Sequence, residues 1–167
     1  MKKIFLKTYN KNKIDFIEKI IKIRKVMHVL KKGKKINFQA IIVTGNQKGK
    51  IGLGIAKGND TSSAIFKAKN KSYKNLFEIP ITKSKSIYTS VIGEHSSSKV
   101  FLKPSIEGFG VIAGGSTKLI LQIAGIKNIS AKQVGSRNLL NNSYASINAL
   151  KNLSIILEYD KNNYRYN

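Results

Sequence analysis

Two stretches in the first half of the chain alternate apolar and polar or small residues, the period of a strand. INFQAIIVT (36–44) places Ile36, Phe38, Ala40 and Ile42 on one side, and KIGLGI (50–55) does the same with Ile51, Leu53 and Ile55. GNQKG between them predicts a hairpin turn. Residues 14–30 fit two periods at once: Ile14, Ile17 and Ile21 have helical spacing, whereas Ile21, Ile23 and the valines beyond could line a strand. From Asp60 or Thr61 to about Phe77 the spacing predicts a helix whose buried stripe is Ile65, Phe66, Tyr73, Leu76 and Phe77. Lys67, Lys71 and Lys74 fall on its opposite face, while Lys69 points toward the apolar side and must snorkel.

PITKSKS (80–86) is polar, carries a proline and marks a boundary. Beyond it, strands are expected at about 87–92 and 99–103. STKLILQIA then reads as a short, mostly buried helix with Ser116 as cap and Gly125 as stop. NISAKQV (128–134) reads as a strand, and from Asn138 onward Leu140, Tyr144, Ile147 and Leu150 share a helical stripe. The second half is thus β-β-α-β-α. The division expected is a basic N-terminal extension (1–16), a first folded part (17–80), a second α+β part (81–157) and a polar tail (158–167).

Charge narrows the function. The 167 residues hold 31 Lys and Arg against 8 Asp and Glu, a formal net charge of +23. Residues 1–75 carry 20 of the cations and 3 of the acids. Such self-repulsion favours a polyanionic partner. Enrichment in Ile, Asn and Lys would follow from an A/T-rich genome, but that bias leaves the scarcity of acids unexplained. No cysteine is present, which excludes disulfides, thiolate metal sites and cysteine nucleophiles. No run approaches the roughly 18 to 20 apolar residues of a membrane span, and the N-terminal residues do not form a secretion signal. The expected location is the cytoplasm, with no membrane partner.

The glycine-rich stretches do not make nucleotide sites. GNQKGK has three residues between its glycines where a Walker loop needs four, and Ile51 stands where the magnesium-binding hydroxyl would be. In GLGIAKG and in EGFGVIAGG the third glycine falls one position late for a dinucleotide fingerprint. Gly52 and Gly54 instead leave one strand face flat, suited either to the backbone of another molecule or to tight local packing. His95, beside Glu94 and Ser96–Ser98, is expected in a surface loop rather than a triad. No paired carboxylates suggest acid–base work, so neither an enzyme, a cofactor nor a small-molecule substrate is expected.

RKVMHVLKKGKK (24–35) is the strongest chemical signal after net charge. Its cations are interrupted by Val26, Val29 and Leu30, which describes a basic loop anchored by apolar residues at its base. Lysines meet phosphates as point charges, so the recognition expected is of RNA shape and backbone.

The run HSSSKVFLKPSIEGFGVIAGGSTKLILQIAGIKNISAKQVGSRN (95–138) resembles the central signature of the small ribosomal subunit protein five family, a V-x-L-x-P segment leading to G-x-G-V-I-A-G-G and then A-K-x-x-G-S-x-N. KKGKKINFQAIIVTGNQKGKIGLGIAKG (31–58) is similar to the family's basic loop, strand, glycine hairpin and strand. The resemblance implies an α+β fold: a truncated double-stranded RNA-binding-like domain of three strands and a helix, then a β-β-α-β-α domain with a left-handed crossover. It also implies a structural role in assembly and accuracy of the small subunit, with ribosomal RNA, mRNA at the path by which it enters, and small ribosomal subunit proteins four and eight as partners. The loop residues Arg24, Lys25, Lys31, Gly33, Lys34 and Lys35 match the family's RNA-touching loop, with Lys32 among them in the expected RNA-binding set, and Lys48 and Lys50 match its hairpin. Lys57, Lys67, Lys71 and Lys132 extend the expected RNA-binding set. Ser136, Arg137 and Asn138 match the G-S-x-N turn, and Lys99 and Lys103 the strand near protein four. The chain departs from the pattern in having Lys32 and Gly33 where two glycines are usual, and Leu139 where proline is usual.

Overall fold

The computed structural model describes Leu6–Lys7 and residues 16–31 and 33–163, with side chains described over 16–31 and 33–156. The first sheet is antiparallel throughout, in the order β1 (Leu6–Lys7), β2 (Ile17–Leu30), β3 (Gly33–Gly45), β4 (Lys50–Gly58) and β5 (Phe77–Glu78). Helix α1 (Thr61–Lys74) lies across β3 and β4. The second sheet, in the order β6 (Val91–His95), β7 (Ser98–Pro104), β9 (Ile129–Val134) and β8 (Val111–Ile112), is backed by α2 (Gly115–Ala124) and α3 (Leu139–Asn163). β8 and β9 are parallel and joined through α2, so the second half is α+β with a β-α-β crossover.

Of the ambiguous stretch 14–30, Ile14 and Asp15 lie outside the described residues, and Ile17–Leu30 is strand, paired with β3 through a bulge between Ile20 and Lys22. The extra residue shifts the phase of alternation, so Ile20 and Ile23 face one core while Ile21 packs on the other. β3 is buried on both faces. Ala40 and Ile42 meet Ala64 and Ala68 of α1, whereas Ile41 and Val43 join Ile51 and Leu53 in a larger core with Val100, Leu102, Ile120, Ile123, Leu150 and Leu153. That core spans both halves, and each such aliphatic side chain stabilises by about 1.5–3 kcal/mol.

The stripe expected on α1 is observed only in part, with Ile65 packed against the smaller core. Ala64, Ala68 and Ser72 are buried, while Phe66 is 64% exposed; the helix ends at Lys74, leaving Phe77 in β5. The glycines of β4 are the cause. A Cβ on Gly54 would stand 1.9 Å from the Ala68 carbonyl oxygen, and one on Gly52 2.2 Å from that of Ser72, so the helix backbone lies against a bare strand and only small residues fit. The flat face is filled by the chain's own helix. Lys69 does more than snorkel: its Nζ lies 3.0 Å from a carboxylate oxygen of Glu18, which is 3% exposed and also accepts a 2.7 Å hydrogen bond from the Tyr73 hydroxyl.

In the second half the first strand begins at Val91 rather than 87. His95 closes that strand and stacks on Tyr144 at 4.6 Å, instead of lying in a surface loop. Gly114 caps α2, and Ser116 is buried within the helix. Gly125 ends it in the left-handed conformation, as its position suggests. Helix α3 begins at Leu139 as the pattern predicts, but it continues to Asn163 through the stretch expected as a tail.

The halves also meet at the 46–49 turn. Gln47 and Gly49 donate their backbone N–H groups to the carbonyls of Ile123 and Ala124, satisfying the open C-terminal end of α2.

Candidate nucleic-acid interface

The basic segment 24–35 is not a loop. β2 and β3 run on as a hairpin past the first turn of α1, with Leu30 paired to Gly33 and Gly33 at φ 135°. Glycine tolerates that backbone conformation, which explains its place at the tip. Arg24, Lys25, Lys31, Lys34 and Lys35 are all exposed on this arm, and no acidic residue lies between Arg24 and Lys57. Lys32 lies outside the described residues.

Register assigns the arm two faces. Lys25, Met27, Val29, Lys34, Ile36 and Phe38 continue the face that carries α1. On the other, Arg24, Gln39 and Lys57 form a row across three strands. The Arg24 Nε donates to Gln39 Oε1 at 2.7 Å, which orients the guanidinium over a cavity of about 450 Å³ lined also by Lys25 and Lys57. The apolar residues expected to anchor a loop are largely bare: Met27 is 61% and Val29 70% exposed, with Leu30 and Ile36 also open. Nothing in the rest of the described fold covers them, because α1 stops short of the arm.

The remaining expected residues are dispersed. Lys67 and Lys71 are exposed on the outer side of α1. Lys48 and Lys50 sit at the opposite end of the first sheet from the arm, where Lys50 forms a 2.7 Å ion pair with Glu78. Lys99, Lys103 and Lys132 lie on the uncovered face of the second sheet with Ile92 and Phe101, Lys99 pairing with Glu94 at 2.8 Å. Ser136 and Asn138 serve the start of α3. The Ser136 hydroxyl accepts from the Asn138 N–H, and the Asn138 side chain accepts from that of Leu140, which leaves exposed Arg137 as the cation of the turn. Sequence reasoning passed over Gln39, whose position opposite both Arg24 and Lys57 becomes visible only with the register. It also passed over Lys19, Lys85 and Lys127, which are far apart in sequence yet line one cavity.

The arrangement is a protruding cationic arm with an apolar component, a surface that phosphates can meet. Residues 16–80 match the family described as ribosomal protein S5, N-terminal domain, and residues 93–163 match ribosomal protein S5, C-terminal domain. Among curated relatives, small ribosomal subunit protein uS5c of Thalassiosira pseudonana is 46% identical over 164 residues, covering 98% of this chain and 92% of the relative. The protein of the same name from Phaeodactylum tricornutum is 52% identical over 138 residues, 83% of this chain and 78% of the relative. Small ribosomal subunit protein uS5 of a Nostoc species is 43% identical over 148 residues, 89% and 85% of the two chains.

Proposed function

We propose, for a chain that belongs to the ribosomal protein S5 family and is therefore a structural, non-enzymatic component of the small ribosomal subunit, that the β2–β3 arm is its principal contact with small-subunit ribosomal RNA. The observation that carries this is the arm itself: five described cations on a projecting hairpin without a single acid, and uncovered apolar side chains beside them. Lysines on both faces neutralise phosphates and release counterions. Met27, Val29 and Ile36 supply apolar surface for riboses or unstacked bases, which suits insertion between RNA segments better than lying along one. Lys57, Lys67 and Lys71 extend the cationic field around the sheet, and Lys132 and Arg137 add to it on the second half.

The two-sheet body holds RNA helices and neighbouring proteins at fixed separation, which is the sense in which such a protein supports assembly, the path of mRNA and translational accuracy. The open face of the second sheet, where Lys99 and Lys103 flank Phe101, is the contact proposed for small ribosomal subunit protein four, with protein eight as a further neighbour.

With about six phosphates neutralised, the binding constant for small-subunit ribosomal RNA should fall with salt at a log–log slope near −5. Replacing Lys31, Lys34 and Lys35 together by Ala should reduce that slope by roughly two to three and leave the thermal midpoint within about 2 °C. Filter-binding titrations over salt measure the slopes, and thermal denaturation the midpoint. A flat wild-type response, or an arm variant indistinguishable from wild type, would overturn the proposal.

A further inference from the structure

A second cationic feature lies at the seam between the halves, at the far end of the first sheet from the arm. A cavity of about 450 Å³ is lined by Lys19 of β2, Gln47 of the 46–49 turn, Lys85 of the connecting loop, Gln122 of α2 and Lys127 just beyond it, together with apolar side chains. Among the described residues, no acidic side chain lines it. Its volume lies within the ~300–1,000 Å³ of small-ligand sites.

The backbone around this cavity is held in costly conformations. Among the described residues that are not glycine, three have positive φ, and two of them, Gln47 (56°) and Lys85 (55°), line this space. Gly or Asn would take such positions with less strain. Lys85 is held there by its own carbonyl oxygen, which accepts from the N–H groups of Lys127 (2.7 Å) and Asn128 (3.2 Å), while its N–H donates to Thr82. The Asn128 side chain in turn donates to the Ser84 carbonyl at 2.6 Å, and the Ser86 hydroxyl to the Asn128 carbonyl. The loop is thus tied to the chain just after α2, and the tie brings Lys85 and Lys127 to one wall. Two lysines on one wall of a concavity concentrate positive charge where an anion can enter.

We propose that this cavity binds a phosphate group, with Lys85 and Lys127 as the cations and the Gln47 and Gln122 amides as neutral donors. Its occupant on the ribosome is a backbone phosphate of the RNA, which would clamp the connecting loop between the halves. The ligand assignment rests on the RNA-binding reading above, although the site is distinct from the arm. The recognising chemistry is shared with a free polyphosphate, so the two sources are tested apart.

In the first arm, the full-length chain and its Lys85→Gln/Lys127→Gln variant are titrated with small-subunit ribosomal RNA over a range of salt. Loss of this one phosphate contact should lower the magnitude of the log–log slope by about 0.7–0.9. The thermal midpoint without RNA should be unchanged, and Lys85→Arg/Lys127→Arg should restore the slope. In the second arm, calorimetry with inorganic tripolyphosphate reads binding of a free anion; heat lost in the Gln variant supports the site without reference to RNA. A Gln variant with the wild-type slope and the wild-type heat overturns the site, while a reduced slope in the arm variant keeps the RNA reading intact. A flat wild-type slope, by contrast, sinks the RNA reading and leaves the site to the tripolyphosphate measurement.

Discussion

Substituting Gly54 by Ala tests whether β4 is bare because α1 rests on it. The new Cβ would stand 1.9 Å from the Ala68 carbonyl oxygen, 2.5 Å from the Ser72 nitrogen and 2.9 Å from the Ser72 Cβ. All three belong to a helix and none can rotate away, so α1 must retreat by about 1.1 Å to reach even a 3.0 Å contact. Overpacking of this kind costs about 1–3 kcal/mol. The retreat also stretches the buried 2.7 Å hydrogen bond between Thr44 and Ser72, adding about 1 kcal/mol. The expected destabilisation is roughly 3 kcal/mol, or a fall in thermal midpoint of about 6–12 °C for a chain of this size. Urea and thermal denaturation of the full chain measure it. Gly115→Ala is the control: nothing lies within 4 Å of its Cβ, and a helix accepts alanine, so its midpoint should hold or rise slightly. A loss below about 1 kcal/mol at Gly54 would refute the close-contact account.

Two further outcomes follow from α1. Burial first, and then the hydrogen bond to Glu18 and its charge, push the Tyr73 phenol above its ordinary value of 10.0. Above about pH 10 the unfolded chain therefore releases a proton that the folded chain retains, and stability falls as pH rises. Thermal midpoints from about pH 9 to 11 should decline more steeply for wild type than for Tyr73→Phe, and parallel curves would count against the buried Glu18–Tyr73 contact. Phe66→Ala should shift unfolding by no more than about 0.5 kcal/mol, because the ring is exposed; a cost above about 2 kcal/mol in urea unfolding would return Phe66 to the core.

Strands whose apolar alternation is unbroken were legible in the sequence: β3, β4 and β9 fall close to where the pattern puts them. β2 was not, because the bulge at Ile20/Lys22 inserts a residue, so that Ile20 and Ile23 share a face at a spacing of three, as they would on a helix. The stripe of α1 was partly misread, for a related reason. Hydrophobicity favours Phe66 over Ala68, yet the neighbouring strand admits only small side chains, and that constraint belongs to the pair of elements rather than to the helix. Of the candidate interface, the cations of the arm were readable as charge density, but their form as a hairpin followed from cross-strand pairing. The seam cavity was invisible for a simpler reason: Lys19, Lys85 and Lys127 are neighbours only after both halves have closed on one core.

The turn at Gly45–Gly49 reaches into α2 with two N–H groups, and a Cβ on Gly125 would stand 2.1 Å from the Gln47 carbonyl. A hairpin tip ordinarily tolerates insertions, since solvent accepts whatever protrudes. Here the length of the tip is dictated by a helix some seventy residues downstream, so an added residue would strip that helix of its terminal partners. The β3–β4 hairpin therefore gains its last backbone partners only after residue 125 has been synthesised, so its tip is completed late on the translating ribosome.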